Sequence, residues 1–131
     1  MALRLVRCGV PALVVVGGGH LQRCAGVGAL AAALTLADLN KVPTEVTDAV
    51  RDGKPVPDER LAALAAFTEA FVQTRALPSA AHVADFLRAG FTETDILQIL
   101  LAVSVRTISN YTNHLFHTPV DPAFARRAWQ D

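Results

Sequence analysis

The sequence predicts an all-α fold, a compact multi-helix bundle, and three observations predict it. Apolar residues recur three and four apart over long stretches. Ser, Thr or Asp stands just before those stretches, and Gly or Pro stands at their ends. No segment alternates convincingly at period two, and only the short run from Ala12 to Val16 is strand-like.

From Leu21 to Asn40 the Ala/Leu content favours a helix, with Gly26 and Gly28 weakening its first turns. Pro43 suits the first turn of a short helix running to Asp52, and Gly53 sits where a left-handed residue is wanted. Asp58 caps the next, in which Leu61, Leu64, Phe67, Phe71 and Val72 form the apolar stripe. Ser79 caps another, from Ala80 to Ala89, closed by Gly90. Thr92 and Asp95 then make a capping box before the longest helix, about Glu93 to Leu115. Asp121 and Pro122 begin a last short helix ending near Trp129.

The long helix near 93–115 is expected to be buried and central. Ile96, Leu97, Ile99, Leu100, Leu101, Val103, Val105 and Ile108 surround it with apolar groups, and such a helix belongs in a core or an interface. In so small a chain, covering it calls for a neighbouring subunit. Its far end turns polar, reading Ser109-Asn110-Tyr111-Thr112-Asn113-His114. Buried polar groups there need hydrogen-bond partners.

At 131 residues the chain fits one domain. It divides by composition, however. Residues 1–34 are atypical and apolar, and the first acid is Asp38, whereas residues 35–131 mix charges freely. With 12 basic and 12 acidic residues the formal net charge is zero, so no electrostatic footprint for nucleic acid or an acidic membrane surface is expected. Two cysteines, Cys8 and Cys24, make no disulfide scaffold, so a cytoplasmic location is expected. Arg4 and Arg7 before the apolar stretch from Cys8 to Gly19 faintly resemble a signal peptide, but Pro11 and Gly17-Gly18-Gly19 interrupt it. The apolar run Ile96 to Val105 is about half a membrane span.

Several residues invite a chemical reading. His20 and Cys24 stand four apart, so on a helix the imidazole would activate the thiol. The ordinary alternative is a half-buried cysteine beside a loop histidine. Gly17-Gly18-Gly19 lacks the spacing of a phosphate loop and reads as a turn. His114 and His117 have a spacing that permits metal ligation, yet nothing completes a site, and a helix-end role for His114 is preferred. Neither a metal nor a cofactor is expected. Asn110, Tyr111 and His114 are the candidates for lining a pocket, and His114 and Asp85 for acid–base work.

The stretch Phe86-Leu87-Arg88-Ala89-Gly90-Phe91-Thr92, through Ile96-Leu97, to Ser109-Asn110-Tyr111-Thr112-Asn113-His114-Leu115 resembles the carboxymuconolactone decarboxylase family, in its alkylhydroperoxidase D-like branch. So do Thr118-Pro119-Val120-Asp121, the late Trp129, and the upstream element from Lys41 to Gly53. The resemblance covers roughly residues 35 to 130. It implies a helical homo-oligomer (dimer, trimer or hexamer) and a role in thiol-dependent peroxide reduction. The family's redox members use Cys-x-x-Cys followed four residues later by His, with a Glu upstream. Anchored on Thr35-Leu36-Ala37, those positions hold Val27, Leu30 and Leu34, and the acid falls near Val15. None of these side chains can form a thiolate or move a proton.

Two explanations stand. Either the chain is a relative that has lost its redox site, or its first ~34 residues are not the family's own N-terminus because start site or reading frame is misassigned. The expected function is that of a degenerate family member. The alternative is a non-catalytic oligomeric module binding a small apolar ligand or a protein partner. A lactone decarboxylase or isomerase is suggested by the family name alone.

Overall fold

A computed structural model describes Ala37, Leu39, residues 41–117, Pro119 and residues 121–123. The run from Ala12 to Val16, most of the helix expected over 21–40, and all but the start of the helix ending near Trp129 lie outside the described residues, as does the boundary near residue 34. Ala37 and Leu39 are helical. Four helices follow, with no strand among the described residues: α1 (Thr44–Asp52), α2 (Glu59–Gln73), α3 (Ala80–Arg88) and α4 (Glu93–Phe116). The architecture is all-α.

Each helix begins and ends on local chemistry. Pro43 precedes α1, where its missing N–H costs nothing. Gly53 leaves α1 at φ 66°, and Lys54 N–H returns to the Ala49 carbonyl at 2.8 Å. The Asp58 carboxylate accepts the Leu61 N–H at 2.8 Å and starts α2. The Ser79 hydroxyl accepts the His82 N–H at 3.3 Å and starts α3. At α4 the capping box is reciprocal: Asp95 N–H donates to the Thr92 hydroxyl at 3.3 Å, and Thr92 N–H donates to the Asp95 carboxylate at 2.8 Å. Between α2 and α3 the chain turns through two non-glycine residues in the left-handed region, Arg75 and Ala76, and Ala76 N–H reaches the Phe71 carbonyl at 2.7 Å.

The core is an aromatic column across α2, α3 and the α3–α4 turn. Phe67 stacks on Phe86 with ring centroids 4.4 Å apart, and Phe86 stacks on Phe91 at 4.5 Å. Leu64, Phe71, Ile99 and Ala102 pack around it. The Arg60 guanidinium lies 4.4 Å from the centre of the Phe91 ring, so a cation covers the solvent end of the column. Stacked pairs of this kind add about 0.5–1.5 kcal/mol each beyond the area they bury.

The long helix spans the residues expected of it but is not buried around its whole circumference. One face, carrying Ile99, Ala102, Arg106 and Asn110, packs inward. The opposite face leaves Leu97, Leu101, Val105, Ile108, Tyr111 and Leu115 exposed. The column presents one side to α4, and among the described residues no second layer covers the other.

Candidate functional site

The groups that carry chemical potential lie mostly along α4. Residues four apart form a ridge on a helix, and on α4 such a ridge reads Gln98, Ala102, Arg106, Asn110, His114. Because four residues overshoot a turn, the ridge winds from the buried side outward, and His114 at its end is exposed. Arg106 and Asn110 are 4% and 7% exposed. The Asn110 Oδ1 and the Gln98 Oε1 are buried without a hydrogen-bond partner among the described residues.

Arg106 stands out among the described residues. It is the lone charged residue between Asp95 and Asp121, and it points into the protein rather than out of it. Taking a guanidinium out of water disfavours its charged form, and burial pulls Arg106 well below its ordinary range, to about 10. The sign follows from proton binding. Above pH about 10 the unfolded chain still holds this proton while the folded chain sheds it, so the site gains stability as pH rises. The unfolding free energy of the wild type minus that of Arg106→Gln should therefore be flat below pH about 10. Above it the difference should climb, by at most about 1.4 kcal/mol per pH unit. Denaturant titrations across that range check it, and a flat difference throughout would refute the burial argument.

The three residues expected to line a pocket do not share one surface. Asn110 and His114 are neighbours on the ridge, but Tyr111 projects from the outer, exposed face. His114 stands in the last turn, where a basic group meets the carbonyl end of the helix. His117 occupies the C-cap position itself, at φ 48°. Among the described residues no three of His, Cys, Asp and Glu gather in a way that could hold a metal ion. Asp85 is engaged with Arg88 at 2.5 Å on the surface of α3. His20, Cys24, Val27, Leu30 and Leu34 lie outside the described residues.

A shallow, open depression of about 680 Å³ lies where the start of α2 meets the end of α3, lined by Pro57, Asp58, Glu59, Arg60, Asp85, Arg88 and Ala89. Four of its five charged groups are already committed to local tasks. Asp58 caps α2, Arg60 covers Phe91, and Asp85 pairs with Arg88. No pair of them converges on a point where a substrate atom would sit. At the end of α1, Asp52 accepts from Arg51 at 2.9 Å and Lys54 at 3.1 Å, and those bonds lower its pKa on an exposed surface.

Sequence reasoning missed Gln98 and Arg106. A signal for Arg106 was present, since a single charge inside an otherwise uncharged amphipathic helix either reaches solvent or is built into the interior. Compared with known proteins, the chain matches no family model and no curated protein.

Proposed function

We propose that this chain is an alkylhydroperoxidase D-like protein of the carboxymuconolactone decarboxylase family whose redox site is degenerate, and that it acts as a non-catalytic homo-oligomeric binding module in a reducing cytoplasm. The observation carrying the assembly part is the outer face of α4. It presents large apolar side chains to solvent over about five turns, with no charged residue among them. Exposed apolar patches of more than a few hundred Å² mark interaction sites on soluble proteins. The family part rests on the motifs at residues 86–115, and the loss of chemistry on Val27, Leu30 and Leu34.

Two features fit this reading. Among the described residues no helix is long and apolar enough to cross a membrane. The formal net charge of zero supports a reading without a nucleic-acid partner.

Incubated with hydrogen peroxide and a dithiol reductant, the protein should consume no peroxide above the protein-free rate, and Cys24→Ser should change nothing. Peroxide consumption abolished by Cys24→Ser would overturn the non-catalytic reading and assign the chemistry to the Cys24 thiol. The native mass in solution tests the other half: an oligomer is expected, and a monomer would remove the assembly role.

A further inference from the structure

Resting on that assembly reading, we infer that α4 pairs antiparallel with α4 of a second copy of this chain, about a two-fold axis passing between Ser104 and Ile108. Along the exposed face the residues Leu97, Leu101, Ser104, Ile108, Tyr111 and Leu115 follow one another at steps of four, three, four, three and four. That is the spacing of a coiled-coil seam, in which alternating steps of three and four keep one line of side chains facing a partner helix. Over so short a stretch the drift of a straight helix from this repeat is about 20° per heptad, small enough for all six to stay on one side. All six are exposed in the single chain.

The order of steps reads the same in both directions, so the seam is complementary to itself when reversed. The central axis sets Leu97 against the second copy's Leu115, Leu101 against its Tyr111, and Ser104 against its Ile108. Two of these pairs set a smaller group against a larger one, and the third sets Leu on Leu. A parallel arrangement would instead set Ser104 on Ser104 and Tyr111 on Tyr111, leaving a gap at one level and crowding at another. Electrostatics points the same way. The first turn of α4 carries Glu93 and Asp95, and its last turn carries His114 with His117 at the cap. Antiparallel pairing opposes the two helix dipoles and keeps the acidic first turns of the two copies apart, whereas parallel pairing aligns like with like.

The area suffices. Eight large apolar side chains of α4 are between 45% and 76% exposed. Phe116 stands about 100° off the seam; the other seven, on the seam or beside it, offer at most roughly 700 Å² per copy at on the order of 100 Å² each. That lies within what each partner contributes to an interface of standard size, roughly 600–1,000 Å². Nothing charged must be desolvated to close it, because the lone charge of this stretch, Arg106, lies on the inner side.

The test combines native mass with cross-linking of the full-length chain. The wild type is expected to run as a two-fold assembly. Ile108→Glu should weaken self-association by at least about 100-fold, because the symmetry buries two carboxylates beside the axis. Its far-UV circular dichroism should match the wild type; Leu115→Glu, at the exposed end of the seam, repeats the test should Ile108→Glu misfold. In a Cys8→Ser, Cys24→Ser background, Val105→Cys should cross-link to its own copy with a short bis-maleimide. Leu97→Cys should not, since 18 residues separate it from its counterpart, about 27 Å along the axis. Efficient Leu97→Cys cross-linking would overturn the antiparallel pairing and leave the assembly reading standing. An oligomer indifferent to both Glu variants would show that another face assembles it. A wild-type monomer would overturn pairing and reading together.

Discussion

Phe86→Ala is expected to destabilise the protein by about 3–5 kcal/mol, a large part of the total stability of a domain of this size. Phe86 is the middle ring of the column and 0% exposed, with Phe67 on one face and Phe91 on the other. Truncation removes two stacked contacts at once and leaves a void between the flanking rings. The rings are held from opposite sides, Phe67 by α2 and Phe91 by the turn into α4, so neither slides into the gap without moving a helix. Phe86→Leu keeps most of the volume and should cost less than half as much. Chemical denaturation of both variants checks the order. Equal losses for Ala and Leu would mean that apolar area, and not the stack, matters at this position.

The second large effect is a contrast between adjacent residues of α4. Ile99→Ala should cost about 2–5 kcal/mol, whereas Leu100→Ala should cost the dilute protein less than about 1 kcal/mol. Ile99 is 0% exposed and packs on the aromatic column, while Leu100 is 45% exposed on the far side of the same turn. The comparison is made by denaturation at the lowest workable concentration, where self-association contributes least. A cost at Leu100 approaching that at Ile99 under those conditions would mean that the outer face is covered within one chain.

The same pair of residues shows where sequence reasoning stopped. Helix starts were legible because caps are local: Asp58, Ser79 and the Thr92–Asp95 box act within three residues of themselves, and each appears as the spacing implies. Gly53 and Gly90 were legible because both take the left-handed backbone that glycine permits. The apolar stripe of α2 was legible too, since Leu64, Phe67 and Phe71 are buried as its period requires. The sidedness of α4 was not. Ile99 and Leu100 are equally apolar, and a helix without a polar stripe carries no mark of which side meets its own core. Such a pattern says that all of it wants cover, and leaves open which chain provides it.

The candidate site was legible only in pieces, for a related reason. Asn110, Tyr111 and His114 drew attention as a polar cluster in sequence, but neighbours in sequence diverge by about 100° around a helix. Position 111 consequently leaves the ridge that 110 and 114 share. Arg106 belongs to that ridge and went unnoticed, because a lone arginine is ordinarily a surface residue. Its placement follows from where the column sits, which the sequence of α4 does not encode.

The aromatic column also bears on the order in which the molecule is made. All its rings fall between residues 67 and 91, so the ribosome has delivered the whole stack before it begins α4. Helices close in the chain can meet quickly, on a timescale short beside synthesis at about 5–20 residues per second. The α2–α3 contacts are thus local in sequence, and α4 closes over them with the side that carries Ile99. Any joining of two chains along that side comes afterwards, at a rate set by how many finished copies the cell holds.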